Sequence, residues 1–120
     1  MTRQEVINIL EKQGYKSYPV PRHYDQYSIK WAGSKRLPEG SPECDSNEKK
    51  ISWHINIYDW AIPNDQYNRE FKSIEIEIVA EKHGQWFKLS CYGIRWEDLE
   101  KQLPVAEKSL LNSWVACARS

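Results

Sequence analysis

Hydrophobic residues recur along the chain with two different periods, and the places where the period changes divide it into elements. Thr2-Arg3-Gln4-Glu5 reads as a capping box: the Thr2 hydroxyl accepts from the backbone N–H of Glu5, and the Glu5 carboxylate accepts from the N–H of Thr2. Val6, Ile9, Leu10 and Gln13 follow at helical spacing, with Ile7 alongside, and Gly14 suits the left-handed residue that closes a helix. The pattern predicts a first helix over about 2–13. From Tyr15 to Tyr24 the chain is rich in Tyr and Pro. Pro19 and Pro21 fix φ and remove two ladder donors, so this stretch is predicted to be extended without being a central strand.

Period-two alternation then takes over. Tyr27-Ser28-Ile29-Lys30-Trp31 predicts a short strand. The stretch 33–50 is almost free of hydrophobic residues and carries Gly, Pro and Ser throughout, which predicts a long, mobile polar loop. In Ile51 to Trp60, Ile51, Trp53, Ile55 and Ile57 share one face; Ser52, His54, Asn56 and Tyr58 share the other. Ala61 to Arg69, with Pro63 and Asn64-Asp65, is a connection. Phe71 to Glu81 alternates again, with Ile74, Ile76, Ile78 and Ala80 on one side, and Gln85 to Ile94 follows with Phe87, Leu89 and Cys91.

His83-Gly84 links these last two strands. A two-residue hairpin loop there sets Lys82 opposite Gln85, Ala80 opposite Phe87, Ile78 opposite Leu89 and Ile76 opposite Cys91. All the apolar partners then share one side, whereas a one-residue slip would set Ile78 against Lys88 or Ser90. After Gly93 the period becomes helical. Trp96, Leu99, Leu103, Ala106, Leu110, Trp114 and Cys117 predict a helix or helix pair over about 96–117, with Pro104 as a kink or a second start.

The assembled order is α-β-β-β-β-α. It predicts an α+β fold: a two-layer sandwich in which a mostly antiparallel sheet of about four strands carries the N-terminal and C-terminal helices on its Ile-rich face. Nothing obvious covers the other face. At 120 residues the chain suits one domain, 1–120, and its 40% hydrophobic content, with six Trp and seven Tyr, is enough for a core. Trp31 and Trp53 fall on the inward parity and Trp96 and Trp114 on helical stripes, so four of the six tryptophans are predicted to pack inside.

Lys+Arg and Asp+Glu stand at 17 each, so the net charge is zero and the basic excess of a general nucleic-acid binder is missing. The three cysteines, Cys44, Cys91 and Cys117, are odd in number and not closely spaced, which argues against a disulfide framework and for reduced thiols in the cytoplasm. The opening residues lack the apolar core of a secretory signal, and no apolar run reaches the roughly 18 residues of a membrane span. His23, His54 and His83 with the cysteines show no zinc-site spacing, and no Gly-rich phosphate loop, nucleophile elbow or HExxH is present; no metal, cofactor or catalytic residue is predicted.

Two candidate sites remain. The first is the uncovered sheet face, with Tyr58, Glu75, Glu77, Trp86, Lys88 and Tyr92; cross-strand ion pairs on a solvated face explain the charges, but the rings are what interaction surfaces favour. The second is a pocket near 15–31 lined by Tyr18, His23, Tyr24 and Tyr27. The first predicts a non-catalytic protein-binding module, an inhibitor, immunity-like or adaptor protein, whose partner is another protein or a second copy of itself; the second, a small-molecule binder or modest enzyme. Stacked aromatics could also hold single-stranded nucleic acid, but the face carries more glutamate than lysine.

Overall fold

A computed structural model of the chain describes residues 1–22, 29–38, 49–59, 72–82, 85–91 and 93–119; the side chains at 49, 50, 81, 82, 85–87 and 117–119 lie outside that description. The elements are α1 (Arg3–Lys12), β1 (Lys16–Ser17), β2 (Ile29–Arg36), β3 (Lys49–Asp59), β4 (Lys72–Lys82), β5 (Gln85–Ser90), β6 (Ile94–Arg95), a 3₁₀ turn (Trp96–Asp98) and α2 (Leu99–Arg119). The fold is α+β. Its strands form one antiparallel sheet in the order β1-β2-β3-β4-β5, with β6 also paired to β4.

The capping box forms as its spacing requires. Thr2 Oγ1 accepts from the Glu5 N–H at 3.2 Å, and the Thr2 N–H donates to Glu5 Oε1 at 3.3 Å. Gly14, at φ +99°, turns the chain out of α1 in the left-handed region where a Cβ would be strained. The next residues, Lys16 and Ser17, pair along the edge of β2, so the Pro-flanked stretch is an edge, as two missing donors demand.

The β4–β5 register is the one that the parity of the isoleucines requires: Lys82 lies opposite Gln85, Ala80 opposite Phe87 and Ile78 opposite Leu89. The loop residues 83 and 84 lie outside the described residues. The same face continues into β3, where Ile51, Trp53, Ile55 and Ile57 meet Ala80, Ile78, Ile76 and Ile74 in turn. Beyond Ser90 the register changes. Glu77 faces Ser90 and Ile74 faces Ile94, so two residues of β4 stand against three of the last strand, and a single strand Gln85–Ile94 becomes β5 and β6. Gly93 fits there because a Cβ would come within 3.2 Å of the Ile74 carbonyl oxygen.

The ends of the expected 33–50 loop are strand. β2 runs on through Gly33, Ser34, Lys35 and Arg36, and β3 starts at Lys49. The cause is pairing rather than hydrophobicity: Gly33 to Arg36 face Ile55 to Ser52 along the long, regular β3, and β1 closes the other side. Gly33 is also the hollow that receives a ring, since a Cβ there would lie 2.3 Å from the Trp31 ring and 3.0 Å from the Lys16 carbonyl oxygen. Leu37, within the stretch expected to be polar, is buried in the core.

Val6 and Leu10 of α1 and Leu99, Leu103, Ala106, Leu110 and Trp114 of α2 join the isoleucines of β3 and β4 in one cluster, with Trp31, Trp53 and Trp96. All four tryptophans expected inside are buried there. α2 is a single helix with Pro104 inside it, rather than a pair. The buried Trp96 indole donates to the Ser73 carbonyl at 3.1 Å, tying the 3₁₀ turn to β4. Lys35 projects onto this same inner side. Its ammonium meets Glu107 Oε2 at 2.8 Å, donates to the Gln13 carbonyl at 3.2 Å, and lies 4.7 Å from the Tyr15 ring centre and 5.1 Å from that of Trp53. One cation thus joins the end of α1, the edge of the sheet and α2. The Tyr15 hydroxyl is held well above its ordinary range, first by burial and then by the Glu107 charge.

Candidate functional site

The opposite, outer face of the sheet is built from the alternate residues of the same strands. Strand register arranges them in cross-strand rows: Ser34, His54, Glu77 and Ser90 form one, Ala32, Asn56 and Glu75 the next, and Arg36, Ser52, Val79 and Lys88 a third. Tyr18 reaches into the first row from the end of β1, because its N–H donates to the Ala32 carbonyl and so continues the β1–β2 pairing. Its hydroxyl and His54 Nδ1 are hydrogen-bonded at 3.1 Å, and the two rings meet edge-on, 5.5 Å apart at 61°.

The electrostatics of the row follow from partial burial. The His54 ring is held below its ordinary pKa, by burial and then by the Lys88 charge, which keeps the imidazole neutral at pH 7. Glu77 is pushed above the usual carboxylate range by burial; Lys88 opposes that shift and the neighbouring Glu75 adds to it. Asn56 is 9% exposed, and its Oδ1 is buried with no hydrogen-bond partner among the described residues.

This face is less open than the alternation implies. Ala32 is fully buried, Val79 is 5% exposed and Tyr58 is 3% exposed. Tyr58, expected as an exposed aromatic, packs on Ile29 with Val20 alongside. A register shift between Ile29 and Trp31 is the reason: it lets Trp31 face the core while Ile29, two residues earlier, turns to the outer side opposite Tyr58. Of the other residues singled out on this face, Glu75 and Glu77 are half-buried, Lys88 is exposed, and Trp86 stands opposite Glu81 in the ladder, its side chain outside the described residues. Tyr92 lies outside them altogether.

Of the second candidate site, His23, Tyr24 and Tyr27 lie outside the described residues, and Tyr18 belongs to the sheet face. The sequence pattern separates Tyr18 from His54 by 36 positions, and only the β1–β2 pairing joins them. The burial of Asn56 was equally hidden, since it shares its parity with Ser52 and His54. An open hollow beside the end of α1, lined by Glu11, Gly14, Tyr15, Lys16 and Ser17, is distinct from this row. Among the described residues no group of three or more His, Cys, Asp or Glu side chains could hold a metal ion, and no helix is long and apolar enough to cross a membrane. Family models, curated proteins and solved structures were each compared with the chain, and none matches.

Proposed function

We propose that this chain is a non-catalytic protein-binding module that engages its partner through the outer face of the sheet. The observation that carries the reading is the polar row Ser34–His54–Glu77–Ser90, which crosses four strands on the side away from the helix cluster. A row of this kind is laterally extended, as a protein interface is, and it mixes half-buried groups with an exposed one at Ser90, with Lys88 exposed in the adjacent row. The Tyr18–His54 bond supplies a pre-set aromatic and polar centre that costs little to order on binding.

One observation favours a second reading, a small polar ligand. Tyr18, from the segment that suggested a pocket, meets His54 on this face, and two groups with shifted pKa values share the row. The two readings part on the exposed rim. Ser90→Arg and Lys88→Glu, at positions open to solvent, are expected to fold normally and to lose partner capture from the native extract, or self-association in sedimentation if the partner is a second copy. Capture and self-association both unchanged in the two variants would sink the protein-binding reading.

A further inference from the structure

The outer face holds one acceptor that nothing in the described chain serves. Asn56 Oδ1 is buried without a partner among the described residues, a costly state for a polar atom. In the ladder Asn56 stands directly opposite Glu75, and Glu77 is its diagonal neighbour, with side-chain roots about 5 Å and about 7 Å away in such pairs. Both glutamates are half-buried, whereas Ala32, opposite Asn56 on β2, is completely buried. Glu75 is already engaged by another group; it frames the position rather than completing it. Lys88, exposed on β5, is the cation nearest to Glu77 in the rows, yet Asn56 Oδ1 remains unserved.

We propose that Asn56 and Glu77, with Glu75 at the fringe, form a subsite for an arginine guanidinium carried by the partner protein. This rests on the protein-binding reading above and gives its partner a chemistry. Asn56 and Glu77, diagonal neighbours in the ladder, present an amide oxygen and a carboxylate on one face, and a guanidinium presents several N–H donors in one rigid plane. An ammonium, as a compact point charge, serves two separated acceptors less well. Binding restores the missing bond to Asn56 and adds a second positive charge beside Glu77, on which Lys88 already acts. His54, neutral and bonded to Tyr18, borders the position without adding a competing positive charge.

The test uses the full-length, ¹⁵N-labelled chain, titrated with N-acetyl-arginine amide, N-acetyl-lysine amide and the uncharged N-acetyl-citrulline amide. The arginine probe is expected to shift the Asn56 side-chain amide resonances saturably, the lysine probe more weakly and the citrulline probe least. Glu77→Gln and Asn56→Ala are each expected to weaken the arginine probe by about tenfold, the loss of one charge-assisted bond. Asn56→Ala removes an unserved acceptor and is expected to fold; if it does not, Glu77→Gln alone decides. No saturable shift with arginine, or an equal one with citrulline, overturns the subsite. The wider reading fails separately. Loss of partner capture in Ser90→Arg without any arginine effect leaves the interface standing and removes the subsite, whereas an arginine effect with capture intact in Ser90→Arg and Lys88→Glu does the reverse.

Discussion

The two faces of this sheet are made by the same strands and differ in almost every physical respect. On the inner face, Ile55, Ile57, Ile74, Ile76 and Ile78 are completely buried and side chains from both helices join them. On the outer face, burial is just as deep at Ala32 and Tyr58 but reaches polar groups as well, leaving Asn56 Oδ1 unserved and pushing His54 and Glu77 toward their neutral forms. An interior dominated by hydrocarbon optimises stability, even though the Tyr15 hydroxyl and the Trp53 indole N–H are buried in it without partners among the described residues. A half-buried mosaic of imidazole, amide and carboxylate does not, and groups kept under such conditions are the ones that a binding partner can relieve.

The contrast can be broken most forcefully from the inner side. Ile76→Ala, at the centre of the core, is expected to cost about 2–5 kcal/mol in denaturant unfolding, through lost burial and the cavity that remains. Gly33→Ala tests the close fit under Trp31. The added methyl collides with the ring and approaches the Lys16 carbonyl, so a loss of about 1–3 kcal/mol is expected, with the Trp31 environment changed in near-ultraviolet circular dichroism. Lys35→Met keeps the aliphatic stem but leaves Glu107 without its cation, and about 1–2 kcal/mol is expected to be lost. A Lys35→Met/Glu107→Gln cycle isolates that pair term.

On the outer side the expected effects are small and one has the opposite sign. In the folded state Glu77 holds its proton to higher pH than the ordinary value of 4.5, so the folded chain binds more protons than the unfolded one just above that pH, and stability falls as the pH rises through the window. Glu77→Gln removes this cost, and its melting temperature is expected to exceed the wild type's at pH 7, with the advantage gone below pH 4.5. For His54 the unfolded chain binds more protons below 6.5, so stability is lost as the pH falls from there, and His54→Gln is expected to flatten that limb. Ser90→Arg, on the exposed rim, is expected to change stability by no more than about 0.5 kcal/mol, which would mark the outer rim as unneeded for folding.

Much of the inner face was legible in the sequence because two independent signals agreed there. The parity of Ile74, Ile76 and Ile78 and the length of the turn gave one register for β4 and β5, and the Thr2–Glu5 spacing marked the start of α1. Where only one signal existed, reading failed. The inward positions of the end of β2 are Gly33 and Lys35, one without a side chain and one charged, so alternation was invisible and the strand read as loop. The offset between Ile29 and Trp31 leaves their spacing unchanged in the sequence, and Tyr58 therefore looked exposed. The extra residue between Ser90 and Ile94 was concealed in the same way, since three small or mixed residues carry no parity of their own. The outer site was legible only in fragments: Glu77 and Lys88 lay on the expected face, whereas the Tyr18–His54 contact depends on a two-residue edge strand that no local pattern announces.

The step between Ser90 and Ile94 has a consequence for how copies of the chain meet in solution. Sheets grow into fibrils by lending a long, straight margin to the next molecule. Here one margin is a two-residue strand and the other is a six-residue strand that ends at that offset, with a lysine within it. Neither offers a long template, so strand-by-strand polymerisation is expected to be disfavoured.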